Sequence, residues 1–368
     1  MATTPLEQLD EHGQSVWIDF LSRDFVEHGD LQGLIDQGVR GVTSNPTIFQ
    51  SAIADGDSYD EQLKEILKEE TEPKEVFLQL ATRDIQGACD LLKQVHDEGD
   101  GKDGWVSLEV DPNLAHDTQG TIAEAKRLHQ LVDRKNLLVK IPATKEGLPA
   151  IEESIASGIP INVTLIFSLE RHRDVAEAYV RGLERLVESG GDPGSVASVA
   201  SFFVSRVDTE ADKRLDAIGG HDELKGKLAI ANAKLAYQVY KEIFSGDRWT
   251  ALEETGASVQ RPLWASTSTK NEEYKDTIYV EELVGPETVN TMPRELVEAV
   301  LDHGEVRGNT IEEDVEGART VLEDLKAAGI DYDDVTETLE REGVEKFAKS
   351  FKELFSDVES KRDQLVAA

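Results

Sequence analysis

Short apolar runs alternate with longer amphipathic ones along most of the chain. Eight of the runs read as strands: VWIDFL (16–21), VRGVTS (39–44), WVSLEV (105–110), LLVKIP (137–142), PINVTLIF (160–167), SVASFFVSR (198–206), PLWAST (262–267) and TIYVEEL (277–283). Several are apolar at consecutive positions, the pattern of strands buried on both faces of a parallel sheet. Between most of them, apolar residues recur every three or four positions, the helical period. The segment from Thr71 to Gly99 predicts a helix with Thr71 as N-cap and Pro73 in its first turn. A second places Ile122, Ala125, Leu128 and Leu131 on one face, and a third starts at an N-capping Ser168 and ends on glycines. A fourth long amphipathic run spans 221–246, and after the eighth strand the pattern is helical over 293–303, 310–328 and 335–362.

Strand and helix in alternation imply a parallel sheet, and eight such units predict an α/β chain folded as a closed (β/α)8 TIM barrel with additional C-terminal helices. The whole chain, 1–368, reads as one domain, with 286–368 as a mainly helical C-terminal part packed on the barrel. An open doubly wound sheet is the alternative, but no Gly-x-Gly-x-x-Gly turn follows the first strand.

Composition narrows the partners. There are 74 Asp plus Glu against 39 Lys plus Arg, a formal net charge of −35. So acidic a chain repels nucleic acid and anionic membranes, and neither is expected as a partner. The acids are spread throughout, which reads as a solvated, halophilic-type shell suited to concentrated salt. A hydrophobic content of 39 % in periodic segments excludes disorder. Cys89, the only cysteine, rules out an intrachain disulfide and reads as part of a buried helix face. The first residues lack the basic and apolar regions of a signal peptide, and no apolar stretch is long enough to span a bilayer. A cytoplasmic protein is expected.

In a barrel of this class, chemistry takes place at the C-terminal ends of the strands. Polar residues there are Asp19, Asn45, Glu109, Lys140, Asn162, Thr164, Ser201, Arg206, Ser266 and Lys270. Each alone has a structural explanation: Asp19 or Asn45 could cap a helix, and Glu109 could simply pair with Lys140. Yet polar side chains recur at the same end of strand after strand, which a purely structural core avoids. An apolar barrel disfavours a charged ammonium and favours the free amine, which attacks a ketone to form a Schiff base. Lys140 is the candidate, with Glu109 and Asp19 as acid–base groups. Asn45, Asn162 and Thr164 would bind hydroxyls or a water, and Arg206 with nearby serines would hold an anion such as a sugar phosphate. This chemistry needs no metal and no cofactor, and the eight histidines show no metal-binding motif.

The motifs WIDFLSR, GVTSNPTIFQ, VSLEVDP, LLVKIPAT, INVTLIFS and LWASTSTKN…YVEELVGPETVNTMP, in this order, resemble the transaldolase family in its longer bacterial form. The resemblance implies a Schiff-base lysine at Lys140, Asp19 as acid–base on the hydroxyl next to the cleaved bond, and Glu109 with Thr164 around a catalytic water. It also implies contacts to hydroxyls of the covalent intermediate from Asn45 and Asn162, to the phosphate from Ser201 and Arg206, and further substrate contacts from Phe203 and Ser266. Shorter members carry an arginine just after the strand-seven serine; here Ser268 stands near that place, and Lys270 is the expected substitute. Small relatives that release free dihydroxyacetone have glutamine and tyrosine where this chain has Glu109 and Phe203, which points to transfer. Sugar phosphates are the implied substrates, and homodimerisation is left open. The alternatives are a catalytically silent barrel and a pyridoxal-phosphate enzyme with Lys140 holding the cofactor, which would be coloured.

Overall fold

A computed structural model describes residues 3–54 and 57–367. Its eight strands are β1 (Gln14–Ile18), β2 (Val39–Val42), β3 (Val106–Glu109), β4 (Leu137–Pro142), β5 (Ile161–Ile166), β6 (Ser198–Phe203), β7 (Arg261–Ala265) and β8 (Thr288–Met292). All pair in parallel with their neighbours in chain order, and β8 returns to β1 to close the barrel. Every strand residue except Arg40 is buried, as expected when side chains fill the barrel on one face and meet the helical ring on the other.

The eighth strand departs from the sequence reading. Residues 277–283 are not a strand; Ile278–Glu282 is a short helix in the crossover from β7. Tyr279, Val280 and Leu283 are buried at helical spacing, and the Thr277 hydroxyl donates to Glu281 Oε1 at 2.8 Å. The strand is instead TVNTM, whose polar residues face buried partners, so its pattern lacks the apolar signature of the other seven. The stretch 286–368 therefore contributes β8 to the barrel as well as helices.

Smaller corrections follow the same logic. The Pro73–Glu98 helix is capped by Glu72, which accepts from the Glu75 amide at 2.8 Å, and not by Thr71. Proline prefers the first helical position, and that sets the cap immediately before it. In the Thr118–Val132 helix the inward stripe is Thr121, Ala125, Leu128 and Val132, while Leu131 is exposed. β1 and β6 end earlier than expected, leaving Asp19 just beyond one strand and Arg206 in the first turn of the Ser205–Ile218 helix.

Two backbone features shape the mouth of the barrel. β5 is bulged between Val163 and Ile166, with Leu165 at φ 60°, and Ser266, just past β7, sits at φ 56°. Each left-handed non-glycine residue costs roughly 1–2 kcal/mol; Leu165 lies beside Thr164, and Ser266 is itself a residue that the sequence marks for chemistry.

The C-terminal helices do more than complete the outer ring. Arg294–His303 packs near the first helix, and Val315–Ala327 against Leu228–Ile243. The last, Tyr332–Ala367, runs across the C-terminal ends of the strands, against Pro46–Ala54, Pro73–Glu98 and Ser205–Ile218. It buries Phe347, Phe351, Leu354 and Val358, an i, i+4, i+7, i+11 stripe. Phe351 meets Phe77 edge to face at 5.6 Å, and the Thr47 and Ser350 hydroxyls are 2.9 Å apart. Gly343 permits the close approach: a Cβ there would lie 3.0 Å from Leu165 Cδ2.

The opposite end of the barrel is plugged by a buried ion pair. Arg261 Nη1 donates to Asp103 Oδ1 at 3.1 Å, and Asp103 also accepts from Ser15 Oγ at 2.6 Å and Trp17 Nε1 at 3.0 Å. Among the described residues no helix is long and apolar enough to cross a membrane. Cys89 is buried in the Pro73–Glu98 helix, and burial pushes its thiol up, away from nucleophilic character.

Candidate active site

Strand register brings the central residues together. Lys140 on β4 stands opposite Glu109 on β3 and Asn162 on β5. Lys140 Nζ lies 3.4 Å from Glu109 Oε2 and donates to the Ser44 carbonyl at 3.2 Å. Both side chains are more than nine-tenths buried. Burial pushes the Glu109 carboxyl up to about 7; Lys140 opposes the rise and the Asp19 charge adds to it. A carboxyl in that range can give or take a proton near neutral pH.

Glu109 Oε2 and Thr164 Oγ1 are both buried without a hydrogen-bond partner among the described residues. Buried polar atoms are rarely left so in a purely structural core. Thr164 Oγ1, in the cavity wall, is free to hold a water or a substrate oxygen, and Glu109 Oε2, whose near neighbour is Lys140 Nζ, can take a water as well.

A cavity of about 290 Å³ opens at this end of the barrel, with Lys140, Asp19 and Thr164 in its wall. Asn45, Ser201, Phe203, Arg206, Ser266 and Lys270 also line it, as the sequence reading expects. Asp19 accepts from Thr43 Oγ1 at 2.7 Å, which holds the carboxylate in place at the end of β1. Asn45 Oδ1 accepts from the Ile48 amide at 3.1 Å, so Asn45 both faces the cavity and restrains the turn into the Pro46–Ala54 helix. Two expected residues stand behind the wall. Glu109 meets the site through Lys140, and Asn162 accepts from Ser201 Oγ at 2.7 Å while donating to Ser107 Oγ at 3.0 Å.

The rim is cationic. Arg206 enters from the start of the Ser205–Ile218 helix, with its guanidinium 4.9 Å from the centroid of the Phe203 ring. Burial lowers its pKa, and Asp19 partly offsets this. Ser205 and Ser266 hydroxyls are 2.9 Å apart, tying that helix start to the strained end of β7.

Sequence reasoning missed four cavity residues of consequence. Thr43, just past β2, and Thr291, near the end of β8, line it with their hydroxyls 2.7 Å apart and bridge these strand ends at Asp19. Both stand in stretches that carry the family resemblance; Thr43 lies near the end of the second expected strand, whereas Thr291 is hidden because the sequence pattern places the eighth strand at 277–283. Lys346 and Phe347 come from the last helix, and the Phe347 ring centroid lies 5.7 Å from Lys140 Nζ. Helical periodicity marks Phe347 as inward, but nothing local says that inward means the barrel mouth.

Comparison with known proteins identifies the family. The family model described as Transaldolase/Fructose-6-phosphate aldolase matches residues 16–358. A protein of Acidothermus cellulolyticus named Transaldolase is 54 % identical over 97 % of this chain and 96 % of its own length. Transaldolase 2 of Streptomyces avermitilis is 53 % identical over 99 % of this chain and 98 % of its own, and Transaldolase of Mycolicibacterium smegmatis 52 % over 99 % of both. A single barrel, a lysine and a carboxyl paired inside it, and similarity along nearly the full length converge: this chain belongs to the transaldolase/fructose-6-phosphate aldolase family.

Proposed function

We propose that the protein is a transaldolase of the non-oxidative pentose phosphate pathway. It moves a dihydroxyacetone unit from sedoheptulose 7-phosphate to glyceraldehyde 3-phosphate, giving erythrose 4-phosphate and fructose 6-phosphate. The observation that carries this reading is the buried Lys140 amine in the cavity wall, 3.4 Å from a carboxyl poised to exchange protons near pH 7.

In this reading Lys140 Nζ attacks the C2 carbonyl of the ketose phosphate. The carbinolamine loses its hydroxyl as water, with Glu109 supplying the proton through a water held also by Thr164, and an iminium results. Asp19 takes the proton from the C4 hydroxyl, the C3–C4 bond breaks, and its electron pair flows into the iminium to leave an enamine. Erythrose 4-phosphate departs. Glyceraldehyde 3-phosphate then enters, the enamine carbon attacks its aldehyde, and Asp19 returns the proton to the new hydroxyl. Water adds to the iminium and releases fructose 6-phosphate. Asn45 and Ser201 bind hydroxyls of the intermediate, with Asn162 positioning Ser201. Ser266, Lys270 and Arg206 face the phosphate, the arginine as a bidentate fork.

Borohydride tests the central step. Reduction in the presence of fructose 6-phosphate fixes a dihydroxyacetone-sized mass on the peptide carrying Lys140. A mass on another residue, or none, refutes the mechanism.

A further inference from the structure

Three cations converge on the cavity rim from three separate elements: Arg206 at a helix start, Lys270 in the loop after β7, and Lys346 on the last helix. In a chain with 74 acidic residues, the other buried or half-buried basic side chains commonly have a carboxylate close by, as in Arg23 with Asp84, Lys74 with Asp111 and Arg171 with Glu340. None of these three forms an ion pair within 4 Å among the described residues, and none donates a side-chain hydrogen bond there. Lys346 even leaves aside Glu342, one turn earlier on the same helix, the partner that an ordinary surface lysine takes. Instead its pKa is lowered, first by the charge of Arg206, then by burial and by Lys270. Like charges gathered with no carboxylate at ion-pair distance cost free energy unless an anion completes the site.

We propose that Lys346 is a substrate-binding residue that contacts the phosphate group of the sugar, together with Arg206 and Lys270. A phosphate dianion offers three acceptor oxygens, and cations from three directions can engage it where a single fork cannot. The assignment gives the last helix a direct part in substrate recognition: the residue that grips the phosphate is followed in sequence by Phe347, which faces Lys140. It also places a local positive field inside a repellent acidic shell, at the one end of the barrel where an anion must enter.

The inference rests on the transaldolase reading and is tested with inorganic phosphate as a competitive probe at fixed ionic strength. Lys346→Ala weakens inhibition by phosphate roughly tenfold, the scale of one lost charge-assisted contact. The preference for fructose 6-phosphate over fructose, taken as the ratio of kcat/KM, falls by a similar factor, and Lys346→Arg restores both. Equal phosphate inhibition in the native protein and the alanine variant overturns the assignment, as does an equal loss on both sugars, which marks a packing role. Borohydride trapping on the native protein separates the two levels. If Lys140 is trapped and Lys346→Ala binds phosphate normally, only the role of Lys346 falls; if Lys140 is not trapped, the transaldolase reading falls with it.

Discussion

Glu109 and Lys140 face each other in register on β3 and β4, and their charged atoms lie 3.4 Å apart inside the barrel. Burial holds the carboxyl up at about 7 although an ammonium-forming group is its neighbour, so desolvation outweighs attraction at this position. The carboxyl can therefore give and take a proton near neutral pH, beside the amine that attacks the substrate carbonyl.

Glu109→Gln slows transfer by roughly 100-fold, the usual scale of general acid–base catalysis, and removes a limb near pH 7 from the pH–rate profile. Steady-state rates between pH 5 and 9 decide this; an unchanged profile removes Glu109 from the proton path.

The same carboxyl links stability to pH. Its folded pKa of about 7 lies above the ordinary 4.5, so between those values the folded state binds more protons than the unfolded one. This contribution is fully present below about 4.5 and is lost as pH rises through about 7. Urea midpoints of the native protein fall more steeply across that window than those of Glu109→Gln; parallel curves contradict the shift.

Phe347→Ala uncovers the Lys140 amine while leaving its strand intact. The enamine then meets water, which protonates it and diverts the bound unit to free dihydroxyacetone. The ratio of dihydroxyacetone released to fructose 6-phosphate formed rises in the variant. A ratio equal to that of the native protein shows that the ring does not shield the amine.

At the far end of the barrel, Asp103→Ala strands Arg261 in a buried site. Removing one partner of a buried pair costs about 3 kcal/mol or more, read as a lower denaturant midpoint. A change within 0.5 kcal/mol, the range of ordinary surface substitutions, shows that the plug does not contribute.

The net charge of −35 makes salt a stabiliser. Screening lengths fall from about 10 Å at 0.1 M to about 3 Å at 1 M, which suppresses repulsion across the acidic surface before it weakens the buried pairs. The melting temperature rises over that range; a fall identifies surface ion pairs as the larger effect.

Most of this architecture was legible because a parallel barrel writes a plain code. Strands such as LLVKIP are apolar on both faces, so Lys140 stands out against its neighbours, and the same contrast exposes Glu109, Asn162 and Thr164. The code fails where both sides of a strand meet polar partners. Thr288, Asn290 and Thr291 are buried yet polar, so β8 resembles a loop, while Tyr279 and Val280 in the preceding helix carry strand-forming side chains. It fails again for Lys346 and Phe347, because the path of the last helix over the mouth depends on packing with Phe77, Ser350 with Thr47, and the space left by Gly343. Long-range contacts of that kind leave no periodic trace.

The roof over Lys140 has a consequence for the birth of the enzyme. Tyr332–Ala367 follows every strand in the chain, so a ribosome-bound intermediate can close all eight before this segment emerges. Until then the amine lies in an open cup that bulk solvent can reach, without the phosphate-facing lysine or the aromatic cover. Productive turnover thus begins with the docking of this helix, a step that delays reactive chemistry until every strand of the barrel has been made.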